Sequence, residues 1–136
     1  MTITIGTSFT LFFIILLFVI AATRKGGDLL TKKPKKITSF TSDKNISEIF
    51  QKLLHFSQIS SYKVEAIDET KFILILGENA NLNGFGFFYP IYLSEDSDGK
   101  TKIEVGIKSK AIQAGPVVTK SLEKFTSNVK AAILSE

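Results

Sequence analysis

The chain has 136 residues, which is room for one domain of about 100 to 150 residues and not for two cores. It contains no cysteine, so disulfides, thiolate metal sites and cysteine nucleophiles are excluded within it. The net charge of +4 does not indicate a nucleic-acid partner, because six of the seventeen basic residues precede Ile37 and leave eleven basic and twelve acidic residues in the rest.

The first predicted element is a transmembrane helix. Residues Ile3 to Ala22 carry no charge, and Leu11 to Ala22 are apolar without interruption. Twenty helical residues span about 30 Å, the thickness of the hydrocarbon core, and one segment alone can satisfy its backbone in lipid only as a helix. We therefore expect residues 1–23 to be a membrane anchor.

A cleaved signal peptide is the alternative, since the apolar run is only about 12 residues long and ends in small residues. No Lys or Arg precedes the run, however, and a basic cluster follows it directly. Under the positive-inside rule this pattern favours a single-pass protein with its N-terminus outside and its C-terminal domain in the cytoplasm. A high content of Ile, Lys, Phe and Asn suggests an AT-rich genome and favours a bacterial inner membrane.

Residues 24–36 predict a basic, flexible linker, because two glycines are followed by a single proline. We expect its cations to fix the topology and to contact anionic head groups of the bilayer. They are Arg24, Lys25, Lys32, Lys33, Lys35 and Lys36.

Residues 37–136 predict one soluble domain that starts with a strand and a helix. Ile37 to Thr41 is a short β-prone run. Asn45, with Glu48 three residues on, is typical of a helix cap. A helix of about 13 residues follows, with apolar residues at helical spacing. They are Ile46, Ile49, Phe50, Leu53 and Leu54.

Four strands are predicted next. Tyr62 to Ala66 and Lys71 to Leu76 indicate a hairpin, and the second strand, apolar on both faces, is expected to be central. Phe87 to Leu93 contains Pro90, which cannot donate to a ladder and so predicts an edge strand or a bulge. Asp98 and Gly99 indicate a turn before Lys102 to Ser109, whose alternation predicts one solvated face.

A second helix is predicted after Pro116 and runs to the C-terminus. The order β-α-β-β-β-β-α predicts an α+β fold, an antiparallel sheet with both helices packed on one side. From Ile37 to Glu136 this order resembles a shortened helix-grip fold, as in the START and polyketide-cyclase-like lipid-binding families, where a curved sheet wraps a long C-terminal helix. Those families have more strands and two helices after the first strand. The resemblance rests on element order and carries no motif.

No pattern in the sequence predicts catalysis, a metal or a cofactor. His55 is the single histidine and is expected on the solvent side of its helix. The acidic residues around Asp98 are explained by the turn better than by a calcium loop. Gly84 and Gly86 precede a strand, so no helix N-terminus is available to receive a phosphate.

A dense group of aromatic residues beside an Asn-rich loop is the candidate functional surface. Alternate strand residues face the core, so we expect about half of the rings to be exposed as an apolar patch for a partner protein, a lipid or the bilayer. The candidate residues are Asn83, Phe85, Phe87, Phe88, Tyr89 and Tyr92.

The sequence favours a membrane-tethered, non-enzymatic interaction module, such as an assembly or accessory factor of a membrane complex. Its predicted partners are the bilayer and a membrane protein. The alternative is a lipid or other small hydrophobic ligand bound between the sheet and the C-terminal helix.

Overall fold

The computed structural model describes residues 27–78, 86–110 and 116–135. In chain order its elements are a 3₁₀ helix (Gly27–Leu30), β1 (Lys36–Ser42), α1 (Ile46–Ile59), β2 (Lys63–Asp68), β3 (Ile73–Gly77), β4 (Phe87–Glu95), β5 (Thr101–Ser109) and α2 (Pro116–Leu134). The predicted anchor, residues 1–23, lies outside the described residues. Among the described residues no helix is both long enough and apolar enough to cross a bilayer.

The five strands form one antiparallel sheet in the order β1-β5-β4-β3-β2. From β2 to β5 each strand pairs with the next strand in sequence. The connection from β1 through α1 to β2, in contrast, passes from one edge of the sheet to the other. Lys36 lies opposite Ile107 and Ser42 opposite Thr101, so the first strand pairs with the last. The α+β class and the antiparallel sheet predicted from the sequence are confirmed.

Both helices pack on the same side of the sheet, which we call the inner face. The side chain of Asn45 accepts a hydrogen bond from the N–H of Ser47 at 2.8 Å, as its cap position predicts. Burying a large apolar side chain stabilises the fold by about 1.5–3 kcal/mol, so the helical stripes account for much of the stability. The most buried helical residues are Ile49, Phe50, Leu53, Leu122, Phe125, Val129 and Ile133.

The other side of the sheet, the outer face, is covered by the chain that precedes β1. We call residues 27–35 the strap. Leu29 is 3% exposed and packs against Ile73, Ile75, Phe88 and Tyr92. The Tyr92 hydroxyl donates to the carbonyl oxygen of Leu29 at 2.6 Å. One buried leucine and one buried hydrogen bond therefore hold the strap across the middle of the sheet.

Ion pairs continue this attachment on either side of Leu29. Asp28 Oδ2 lies 3.0 Å from Lys108 Nζ, and Lys33 Nζ lies 2.7 Å from Glu104 Oε1. The sequence predicts a flexible linker over residues 24–36, but its described part, from Gly27 onward, lies on the sheet. Residues 24–26 of the predicted linker lie outside the described residues.

Pro90 lies in a central strand whose register does not shift there, so the predicted edge position or bulge is wrong. β4 has β3 on one side and β5 on the other. Pro90 pairs with Ile75 of β3, while on the β5 side the pairing passes from Phe88 directly to Ile91. The register places Gly106 opposite Pro90, and a residue without a side chain leaves room there for the proline ring.

Candidate ligand-binding site

Three aromatic rings meet between the inner face of the sheet and α2. Tyr89 of β4 lies parallel to Phe125 of α2, with ring centroids 4.1 Å apart and an interplanar angle of 7°. Tyr62, next to β2, meets Phe125 edge-on at 4.9 Å and Tyr89 edge-on at 5.6 Å. Such pairs contribute about 0.5–1.5 kcal/mol beyond the burial of their area. We call these three residues the aromatic cluster.

Polar side chains border the aromatic cluster. The Tyr89 hydroxyl donates to Glu78 Oε2 at 3.3 Å, and Ser121 of α2 lies beside it. Asn128, two turns further along α2, lies beside the Tyr62 hydroxyl. A separation of 3.3 Å is long for a hydroxyl donor, so the bond to Glu78 is weak and its two groups can exchange it for other partners.

Burial controls the protonation of both hydroxyls. Burial raises the pKa of Tyr89, and the nearby negative charge of Glu78 raises it further. Burial also raises the pKa of Tyr62, and this effect outweighs the hydrogen bond with Asn128, which lowers it. Both phenols are protonated at neutral pH and act as hydrogen-bond donors within a largely apolar wall.

The backbone of Glu78 is fixed from two directions. Its N–H donates to the carbonyl oxygen of Phe87 at 3.0 Å. Lys110 Nζ donates to the carbonyl oxygen of Glu78 at 2.9 Å and lies 3.2 Å from Glu65 Oε1. Because these contacts hold the main chain, the half-buried carboxylate stays beside Tyr89.

The aromatic residues predicted to form an exposed surface are buried wherever the structure describes them. Phe87 and Tyr89 face the inner core, and Phe88 and Tyr92 face outward beneath the strap. The inward-facing pair fits the expectation that about half of the rings pack in the core. The expected exposure is wrong for Phe88 and Tyr92, because the strap covers the face of β4 that the sequence leaves open. The other two candidates, Asn83 and Phe85, lie outside the described residues.

The basic residues predicted to contact lipid have several different environments. Besides its ion pair, Lys33 lies 5.4 Å from the centroid of the Tyr92 ring. Lys36 donates to the hydroxyl of Thr119 on α2. Lys32 and Lys35 are exposed on the strap, and Arg24 and Lys25 lie outside the described residues.

Sequence reasoning missed the polar partners of the aromatic cluster. Ser121, Phe125 and Asn128 stand at positions i, i+4 and i+7 of α2, so two polar residues share the stripe that faces the sheet. This spacing is visible in the sequence. The alternation from Tyr62 to Ala66 predicts Tyr62 at the start of its strand, whereas Glu78, just past the end of β3, carries no comparable signal.

Comparison with solved structures shows the fold. A crystal structure of Ara h 8.0201 is similar over 71% of this chain and 92% of its own, with a TM-score of 0.56 and 14% identity. A protein from Nitrosospira multiformis, a structural genomics target, is similar over 74% of this chain and 93% of its own, with a TM-score of 0.55 and 9% identity. No protein-family model matches the chain, and a search of curated proteins finds no significant match.

At these identities the likeness concerns the fold alone. The antiparallel five-stranded sheet with two helices is consistent with a helix-grip-like fold. The aromatic cluster and its polar partners lie at the interface of the sheet with the C-terminal helix, which is the interface that defines such a fold.

A concave surface lies elsewhere, between the two helices. This groove has a volume of about 660 Å³ and is lined by Phe56, Ile59, Ala131 and Ala132, among others. Ile59 is 72% exposed, and His55 is exposed at the rim, as predicted. In the part of the chain that the structure describes, no three side chains of His, Asp or Glu come together to hold a metal ion.

Proposed function

We propose that the domain binds a small hydrophobic ligand, such as a lipid, between the inner face of the sheet and α2. The observation that carries the proposal is a pair of buried tyrosine side chains, Tyr62 and Tyr89, whose hydroxyls have polar neighbours inside an otherwise apolar interface. Ligand sites are mostly apolar and contain a few polar groups that orient the ligand. If Tyr62 and Tyr89 only filled the core, phenylalanine at these positions would pack equally well.

The fold supports the same interface. The element order resembles lipid-binding families in which a curved sheet wraps a C-terminal helix, and the structure has an antiparallel sheet with a C-terminal helix packed on its inner face. The likeness to solved structures supports the fold, and the polar residues around Tyr89 support the position of the site.

The rings of the aromatic cluster are in contact, so a ligand enters only when α2 moves. The C-terminal end of α2 is held by Lys44, which donates to the carbonyl oxygen of Ile133 at 2.6 Å, and by Lys52, which donates to that of Ser135. Near its N-terminal end the helix is contacted by Lys36 through Thr119. We expect the N-terminal half of α2 to swing outward and the ligand to replace the stacking of its rings.

The polar groups indicate the chemistry of the ligand. Tyr89 is protonated and offers a donor, whereas Glu78 offers acceptor oxygens. A hydroxyl group can accept from the phenol and donate to the carboxylate at once. The site therefore favours a long-chain alcohol or a comparable neutral lipid over a fatty acid, whose carboxylate Glu78 would repel.

Photo-crosslinking in neutral-lipid nanodiscs tests this function. The full chain is reconstituted, exposed to a long-chain alcohol that carries a diazirine, irradiated, and mapped by mass spectrometry. We expect adducts at Tyr62, at Tyr89 and in the N-terminal half of α2. A matching fatty-acid probe should label these positions at least tenfold less.

Two phenylalanine variants of α2 provide the matched control. Ser121→Phe fills the space beside Tyr89 and should abolish these adducts, whereas Ser127→Phe adds the same ring on the exposed side of the helix and should leave them unchanged. Circular dichroism checks that both variants fold. Labelling of Ser121→Phe at the wild-type level would contradict the proposal.

A second candidate is a membrane-tethered interaction module, which the groove between the helices favours. Its floor is apolar and Ile59 projects into solvent, as at surfaces that receive a partner. Ile59→Glu should then abolish co-purification of a membrane-protein subunit with the full chain in mild detergent, while the diazirine adducts persist. If no subunit co-purifies with the wild type, this second function fails.

A further inference from the structure

The strands run between two ends of opposite charge. One row of paired residues crosses the sheet from β2 to β5 and consists of Lys63, Gly77, Phe88 and Lys108. Lys36 of β1 lies one residue away from this row, opposite Ile107. Lys120 follows Thr119, the residue that Lys36 contacts. We call this the lysine end. Among the described residues it carries Lys35, Lys36, Lys63, Lys108, Lys110 and Lys120 against Asp28, Glu65 and Glu78.

The other end of the strands, the acidic end, is formed by three turns. They join β1 to α1, β2 to β3 and β4 to β5. Their carboxylates outnumber their ammonium groups among the described residues. The acidic side chains are Asp43, Asp68, Glu69, Glu95, Asp96 and Asp98, and the basic ones are Lys44, Lys71, Lys100 and Lys102, with Lys130 of α2 beside the first turn.

The strap begins at the lysine end, where Asp28 pairs with Lys108 of the row. The predicted anchor ends at residue 23, and the four peptide links from there to Gly27 reach at most about 14 Å. The start of the strap, and the lysine end with it, is thus confined close to the point where the chain leaves the bilayer. The acidic end lies a full strand length further along the sheet.

We propose that the lysine end is a docking surface for an anionic lipid bilayer, which holds the domain with its strands pointing away from the membrane. Each lysine near an anionic surface contributes about 1 kcal/mol, or roughly a fivefold factor in the docking equilibrium. The acidic end is repelled by the same surface, so the two ends favour one orientation. This inference goes beyond the proposed ligand and does not depend on it.

Fluorescence transfer to labelled lipid head groups tests the orientation on the full chain. Because the chain has no cysteine, single cysteines can be placed at Ser61→Cys, beside the lysine end, and at Ser97→Cys, in the β4–β5 turn of the acidic end. Both positions are exposed. In nanodiscs with anionic lipid we expect strong transfer from position 61 and weak transfer from position 97. In neutral nanodiscs the difference should largely disappear.

Two triple variants with the same change in charge separate docking from net charge. The first variant, at the lysine end, should lower the docking equilibrium on the order of 100-fold; it combines Lys35→Gln, Lys63→Gln and Lys120→Gln. The second variant, at the acidic end, should leave the docking equilibrium unchanged; it combines Lys71→Gln, Lys100→Gln and Lys102→Gln. Equal loss in both variants would overturn the proposal.

Two further results would also overturn it. One is equal transfer from positions 61 and 97 in anionic nanodiscs, and the other is release of the full chain from membranes by alkaline carbonate, which would show that it is not anchored. The diazirine experiment on the proposed ligand uses neutral lipid. The result of the diazirine experiment therefore does not depend on docking of the lysine end.

Discussion

Pro34 of the strap lies close over Gly106 of β5, and a methyl group at Gly106 should lift the strap. A Cβ at this position would lie 2.6 Å from Pro34 Cγ, 3.1 Å from Ile37 Cγ1 and 3.2 Å from Pro90 Cγ. Carbon atoms pack best at about 3.5–4.0 Å, so the overlap with Pro34 is about 1 Å. Overpacking of this kind costs about 1–3 kcal/mol. We expect Gly106→Ala to increase the detached fraction of the strap by about 5- to 150-fold.

Limited trypsin digestion of the full chain in mild detergent measures this fraction. Lys32 and Lys35 are cleavage sites on the strap, and cleavage follows the population of the open form when opening is fast. In Gly106→Ala both sites should be cut about 5- to 150-fold faster. The added Pro34→Ala removes the closest atom and should recover part of this at Lys32 and Lys35, which mass spectrometry scores apart from the bond after Lys33 that trypsin cuts once Pro34 is replaced. Unchanged cleavage would refute the steric argument, and so would an equal acceleration at Lys124 of α2, which indicates unfolding of the whole domain.

Three further changes have defined outcomes. Tyr92→Phe leaves the carbonyl of Leu29 unpaired, which should lower the free energy of unfolding in urea by about 1–3 kcal/mol. Burial raises the pKa of Tyr92 to about 12, so the wild type should also lose more stability than the variant as pH rises from 10 to 12. Asn45→Ala should lower the free energy of unfolding by about 1 kcal/mol, and Asn45→Asp should not. The hydrogen bond from Lys108 lowers the pKa of Asp28. The ionised carboxylate therefore adds a small, solvent-screened amount to the free energy of unfolding above about pH 4, and this amount is lost below it. Asp28→Asn should make the free energy of unfolding depend less on pH in the acid range.

The parts of the fold that depend on local chemistry could be predicted from the sequence. Asn45 caps α1 because its side chain reaches a free N–H within its own turn. Gly99 has a φ of 79°, the left-handed conformation that the β4–β5 turn requires and that glycine adopts without strain. Such signals are contained in a few neighbouring residues.

Features that depend on distant residues could not be predicted in this way. Pro90 is tolerated in a central strand because Gly106, on the next strand, has no side chain to meet its ring. The strap is attached because Leu29 finds an apolar patch and its charged neighbours find Lys108 and Glu104. Nothing near residues 27–35 in sequence indicates these partners.

The candidate site combines both cases. Tyr89 is a surface candidate in the sequence, and the structure stacks it on Phe125 of α2. The carboxylate of Glu78 reaches Tyr89 from the end of β3, a position at which a single sequence gives no indication of direction.

The pairing of the first strand with the last has a consequence for synthesis. Lys36 pairs with Ile107 and Ser42 with Thr101, so β1 has no partner strand until about 60 to 70 further residues have been synthesised. At 5–20 residues per second this interval lasts about 3–14 s. During that time the predicted anchor can enter the membrane while β1 and the strap are still free of the sheet. Insertion would then precede closure of the domain, and the last step of folding would fasten the sheet to a chain that is already anchored.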